Sequence, residues 1–67
     1  MKAELEVEVW DGDEYYASVA GPKDYVRKEV DHYAKLLLAQ GAEDIQVDVI
    51  DRRSMSLRQF EEQYNAG

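Results

Sequence analysis

Apolar and acidic residues alternate along the first part of the chain. Leu5, Val7 and Val9 occupy every second position, and Glu4, Glu6 and Glu8 lie between them or just before them. A period of two residues is typical of a β-strand with one buried face. Glutamate is a poor strand former, so the strand prediction depends on the alternation rather than on the residue types. The pattern predicts one apolar face and one acidic face.

A hairpin is predicted next, because Asp11-Gly12-Asp13 has the composition of a tight turn. Tyr15 to Ala20 then forms the returning strand. A three-residue loop predicts the pairing of the two strands, with Val9 opposite Tyr15, Val7 opposite Ala17, Leu5 opposite Val19, Glu8 opposite Tyr16 and Glu6 opposite Ser18.

A helix from Pro22 to Gln40 follows, since proline suits the first helical position and Gly41 suits the residue after the helix end. Its apolar residues recur at spacings of three and four, which predicts one buried stripe. The stripe consists of Val26, Val30, Tyr33, Ala34, Leu37 and Leu38.

Two further elements complete the chain. Ile45, Val47 and Val49 alternate with polar residues and predict a third strand, which ends at Arg52-Arg53. Ser56 and Gln59 have the spacing of a capping box, and Met55 and Phe60 that of a hydrophobic staple, so a second helix from Leu57 to Tyr64 is predicted.

These elements predict an α+β fold with the order β-β-α-β-α in a single domain, residues 1–67. The helical crossover makes the third strand parallel to the second. It then pairs with the first strand in the order 2-1-3, a three-stranded mixed sheet with both helices on its apolar face. The glutamate-bearing strand would be central, with its acidic face open to water.

Composition limits the function. The 67 residues include 15 acidic and eight basic ones, a net charge of −7, and no cysteine. This charge repels phosphate backbones, so we expect no direct contact with nucleic acid. The absence of cysteine and of long apolar segments leads us to expect a cytoplasmic protein that does not enter a membrane.

Catalysis and metal binding have weak support. His32 is the only histidine and lies off the apolar stripe, so we interpret it as a surface residue and expect no enzyme activity. Asp11 to Glu14 offers oxygen ligands but departs from the calcium-loop pattern, and a hairpin turn explains it better. We therefore expect no metal or other cofactor, although a minimal metal-binding protein remains a third hypothesis. Arg52, Arg53 and Arg58 form a small basic group.

The glutamates suggest the leading hypothesis. Alternate residues of a strand lie about 6.5 to 7 Å apart, so Glu4, Glu6 and Glu8 would form a straight negative row, widened by Asp48. The plain explanation of such a row is that exposed charges keep the protein soluble and prevent edge pairing. Like charges at this spacing nevertheless repel one another, whereas mixed charges would keep the protein soluble without that cost.

A row of carboxylates with aromatic neighbours has the character of a nucleic-acid mimic. The sequence thus predicts a non-enzymatic, phage-type inhibitor, for example an anti-CRISPR or anti-restriction protein, which binds the basic groove of a nucleic-acid-handling protein. The alternative is an accessory module that docks through its open sheet face or an edge strand. We expect a monomer or weak homodimer. The predicted binding residues are Glu4, Glu6, Glu8, Trp10, Asp11, Asp13, Glu14, Tyr16 and Asp48.

Overall fold

A computed structural model describes residues 4–50 and 54–64 of the chain. The described part is an α+β fold with one antiparallel sheet and two helices. Its elements are β1 (Leu5–Asp11), β2 (Glu14–Gly21), α1 (Lys23–Ala39), β3 (Ile45–Val49), β4 (Ser54–Ser56) and α2 (Leu57–Gln63). No helix of this part is long and apolar enough to cross a membrane.

The sheet has four strands rather than the predicted three, in the order β2-β1-β3-β4, and it is antiparallel throughout rather than mixed, because β2 and β3 run parallel but are not neighbours. The predicted order of the first three strands is confirmed, and β1 is central and pairs antiparallel with both β2 and β3. The additional strand β4 is too short to show a period in the sequence, since Met55 is its one apolar residue. It pairs antiparallel with β3, where Met55 lies opposite Val47.

The register predicted for the β1–β2 hairpin is wrong by two residues. Val7 pairs with Val19 and Val9 with Ala17, while Asp11 pairs with Glu14, so the loop contains only Gly12 and Asp13. The shorter loop shifts the pairing by one residue, and a bulge between Val9 and Trp10 shifts it by one more. A bulge inserts one unpaired residue into one strand, an irregularity that alternation in the sequence cannot indicate. Gly12 has φ 64°, which favours glycine at this turn.

The bounds predicted for the helices agree with the structure to within one residue. Pro22 and Gln40 flank α1 as its caps, and Gly41 follows with φ 94°. The predicted capping box of α2 is confirmed: Gln59 N–H donates to the Ser56 hydroxyl, and Ser56 N–H donates to the Gln59 side chain. The residues Asp51, Arg52 and Arg53 lie outside the described part.

Both helices pack on one face of the sheet, as predicted. Their shared core consists of Leu5, Val7, Val9, Val19, Val26, Val30, Ala34, Leu37, Ile45, Val47, Val49, Met55 and Phe60. Leu38 was predicted to belong to the buried stripe of α1, but 56% of it is exposed. It lies about 100° around the helix from Leu37, beyond the arc that faces the sheet.

Candidate functional site

The face of the sheet opposite the helices is not covered by any described element. Side chains that alternate with the core residues point toward it, because successive residues of a strand face opposite sides. We call this surface the open face. It includes Glu6, Glu8, Trp10, Tyr15, Ser18, Ala20, Gln46 and Asp48.

Two carboxylates face each other at the centre of the open face. Glu8 of β1 pairs directly with Asp48 of β3, and Glu6 lies two residues from Glu8 on the same strand. Directly paired residues on neighbouring strands have Cβ atoms about 4.5–5.5 Å apart, so the two negative charges repel each other. Among residues 4–50 and 54–64, the ion pairs involve Arg27 and Arg58 and do not reach this cluster. We call Glu6, Glu8 and Asp48 the acidic cluster.

Glu4 does not continue the predicted row of glutamates. It precedes β1, and its carboxylate accepts a hydrogen bond of 2.5 Å from the backbone N–H of Lys23, the first residue of α1. A carboxylate at this end of a helix satisfies a free N–H group and interacts favourably with the helix dipole. The sequence predicted three glutamates in line, whereas the structure places two of them with Asp48 and gives Glu4 a capping contact.

Aromatic side chains lie at one end of the open face. Trp10 is half-buried, pairs with Tyr15 and Gln46, and contacts the Tyr15 ring edge-on with centroids 5.7 Å apart. The Tyr15 hydroxyl lies 2.6 Å from the Ser18 hydroxyl. Trp10 and Tyr15 therefore place aromatic surface on the same face as the acidic cluster.

Tyr16 was predicted to lie beside the glutamates, and that placement is wrong. Its ring contacts Tyr33 of α1 edge-on, with centroids 5.8 Å apart, so Tyr16 lies on the helix side of the sheet. The bulge explains the change, because the extra residue shifts Tyr15 rather than Tyr16 onto the open face. Sequence alternation alone missed Tyr15 as a member of the site.

The three acids of the hairpin do not join the acidic cluster. Asp11 follows the alternation of Val7 and Val9 and thus belongs to the helix side, while Asp13 and Glu14 are exposed at the hairpin tip. The N–H of Gly12 donates to the Asp44 carbonyl at 2.8 Å, which ties the tip to the loop before β3. The described residues contain no group of three or more His, Asp or Glu side chains arranged to hold a metal ion.

No protein-family model, curated protein or solved structure matches the chain.

A partly exposed ionic contact joins the two helices on the other side of the sheet. Arg27 of α1 donates to Asp31, and its Nη2 lies 3.6 Å from Glu61 Oε2 of α2. Burial raises the pKa of the Glu61 carboxyl above its ordinary value of 4.5, and a hydrogen bond to Asp31 acts in the same direction. The positive charge of Arg27 opposes this rise in pKa.

A shallow groove of about 550 Å³ lies near this ionic contact, between the end of α1 and the start of α2. Leu38, Ile45 and Leu57 supply its apolar lining.

Arg58, predicted to belong to a basic group, is exposed, and its Nε atom lies 3.5 Å from Glu62 Oε1. His32 is exposed as predicted, with its ring 5.6 Å from that of Tyr33. These residues lie on the helix side, apart from the acidic cluster.

Proposed function

We propose that the protein is a non-enzymatic inhibitor whose open face binds the basic groove of a nucleic-acid-handling protein in place of DNA. The observation that carries this proposal is the direct pairing of Glu8 with Asp48 on a face that no described element covers. Folding gains nothing from two like charges placed opposite each other, so their arrangement is better explained by a partner that supplies positive charge.

The layout of the open face suits such a partner. The acidic cluster offers carboxylate oxygens to lysine and arginine side chains that would otherwise contact phosphates. Trp10 and Tyr15 add aromatic surface next to the charges, and aromatic faces attract cations such as the arginine guanidinium. Charge and aromatic surface on one flat face thus complement a groove lined with basic residues.

Capture and displacement together test the proposal. The tagged protein is used to capture partners from a bacterial lysate, and each captured complex is then loaded with a labelled DNA duplex. Addition of the protein should release the duplex, because the acidic cluster competes for the same basic side chains. Capture of a complex that keeps its duplex bound at saturating protein would contradict mimicry.

A matched pair of variants assigns the effect to the open face. Glu6→Gln, Glu8→Gln and Asp48→Asn remove three charges from the acidic cluster. Asp24→Asn, Glu43→Gln and Glu62→Gln remove three exposed charges elsewhere. The concentration of the first variant needed to release the duplex should be at least tenfold higher than that of the parent. Each lost charge-assisted contact costs about 1.5–3 kcal/mol when desolvated. The second variant should retain most of the ability to release the duplex. Equal losses would mean that net charge, rather than this face, governs binding.

A second candidate is an accessory interaction module. The observation that favours this module is the uncharged stretch of β2, one of the two edge strands of the sheet. Docking through backbone hydrogen bonds and apolar contacts depends weakly on salt, whereas charge-led binding weakens steeply as salt rises. Retention of the captured partner in high salt would favour the accessory module.

A further inference from the structure

The two edges of the sheet differ in how they are protected. β4 has only three residues, and short edge strands resist further pairing. β2 has eight residues, and from Tyr15 to Gly21 it contains no charged residue and no proline. Its bulge lies at the Tyr15 end, which leaves Ala17 to Gly21 in regular pairing. β2 is thus a long edge strand whose regular part lacks the charges, proline or bulge that usually prevent edge pairing.

The hydrogen-bonding pattern shows which backbone groups of β2 face outward. Ile50 N–H donates to the Glu6 carbonyl, so Glu6 and Glu8 direct their backbone groups to the β3 side. In an antiparallel ladder this direction alternates, so Val7 directs its groups to Val19 of β2. The residues Ser18 and Ala20 then direct their N–H and C=O groups away from the sheet.

The flank of α1 next to this edge carries exposed apolar surface. The Tyr25 ring packs over Gly21, where an added Cβ would lie 3.1 Å from it, and Tyr33 contacts Tyr16. Residues spaced by three or four lie on one side of a helix, which places Leu36 on the same flank as Tyr25. Tyr25 is 52% exposed, Leu36 40% and Tyr16 36%. The β2 edge and this flank form one continuous surface.

We propose that this surface pairs with a second copy of the chain. The two β2 strands would run antiparallel about a two-fold axis near Ser18 and form one eight-stranded sheet. Strands lie about 4.8 Å apart, and α1 packs over both β1 and β2. The two α1 helices would therefore lie about 10 Å apart, which agrees with the 8–10 Å distance of packed helices.

The contacts between β2 and α1 also fix which residues meet. Tyr25 lies at the level of Gly21 and Tyr33 at that of Tyr16, so Ser18 lies at about the level of Val30. A two-fold axis at that level places Tyr25 of one copy opposite Leu36 of the other. The same pair recurs by symmetry, as an isologous interface requires.

Charge favours this side of the molecule over the open face. α1 carries four basic residues against three acidic ones, so this side lacks the excess negative charge of the acidic cluster. Glu29 lies on the flank between Tyr25 and Leu36, where it would approach Glu29 of the other copy near the axis and repel it. The axis is perpendicular to the sheet, so both open faces lie on the same side and take no part in the contact. The net charge of −7 on each copy still opposes association. Salt screens this repulsion, so higher salt should strengthen the dimer. This dependence is opposite to that expected for partner binding by the acidic cluster.

Sedimentation equilibrium tests the proposal with the full chain at concentrations up to about 1 mM, in about 0.1 M and 0.5 M sodium chloride. The mass should rise from 7.7 kDa toward twice that value, and more readily at the higher salt. Leu36→Glu should raise the dissociation constant of the dimer at least tenfold. Leu38→Glu is the control, because it makes the same change on the same helix but on the flank facing α2.

The strand edge is tested separately. Ala20→Lys places a charge on the exposed edge and should likewise raise the dissociation constant of the dimer, whereas Gln46→Lys adds the same charge to β3 and should leave that constant unchanged. Circular dichroism confirms that each variant is folded. A mass of 7.7 kDa for the parent at every concentration, or equal effects of Leu36→Glu and Leu38→Glu, would overturn the proposed interface.

Discussion

The two faces of β1 show opposite relationships to stability. Leu5, Val7 and Val9 are buried under the helices, and Val7 and Val9 are completely inaccessible to solvent. Glu6 and Glu8 on the other face are accompanied by Asp48 and have no ion-pair partner among the described residues. One face thus stabilises the fold through apolar burial, while the other carries uncompensated charge. In one strand, core residues and acidic residues of the open face alternate position by position.

The largest difference between the faces should appear when a core side chain is truncated. Phe60 is completely buried and is the one buried residue of α2. Phe60→Ala should lower the free energy of unfolding by about 3–5 kcal/mol, enough to unfold much of so small a domain. Urea denaturation measures this change.

Leu38→Ala is the matched control for Phe60→Ala. It also truncates a large apolar side chain, but at a position that is mostly exposed. Its effect should stay within about 0.5 kcal/mol. Comparable losses in the two variants would show that Leu38 belongs to the core and that the arrangement of α1 given above is wrong.

A smaller effect, with a change of sign, should distinguish Glu4 from Glu8. Glu4→Gln removes a charge that caps α1 and should lower the free energy of unfolding by about 0.3–1 kcal/mol. Glu8→Gln removes repulsion with Asp48 and should raise it by up to about 0.5 kcal/mol. Thermal denaturation of both variants at low salt provides the measurement. A gain in stability for Glu4→Gln would return Glu4 to the acidic cluster.

Much of the covered face could be predicted from the sequence because its signals are periodic. Alternation located β1 and β3, and spacings of three and four located α1. The errors fall where contacts between distant residues decide. The bulge near Trp10, the brief strand around Met55 and the capping contact between Glu4 and Lys23 have no local pattern. All three members of the acidic cluster were nevertheless predicted to share one face, since Glu6, Glu8 and Asp48 belong to periodic strands.

Between the helices, the pairing of Arg27 with Glu61 was not predicted either, because it forms only when α2 docks on α1. It gives the smallest effect, a dependence of stability on pH. The folded state holds the Glu61 proton more tightly than the unfolded chain does, since the pKa is raised. The stabilisation by this proton is complete below the ordinary pKa of 4.5 and is lost as pH rises through the higher folded value.

Glu61→Gln should remove this contribution to the pH dependence. The melting temperature of the variant minus that of the parent should therefore increase as pH rises from about 4 to 7. Glu62→Gln is the control, because Glu62 is the adjacent exposed acid. A difference between Glu61→Gln and the parent that stays constant with pH would contradict the raised pKa.

The claim that the acidic cluster is the binding surface is tested most directly by the salt dependence of affinity for a captured partner. The dissociation constant of the parent is measured from about 50 to 200 mM sodium chloride, alongside the variant carrying Glu6→Gln, Glu8→Gln and Asp48→Asn. We predict that the parent loses affinity steeply with salt, and that the variant binds at least tenfold more weakly with a flatter dependence. Equal affinity and an equal salt dependence for parent and variant would contradict a role of the acidic cluster in binding.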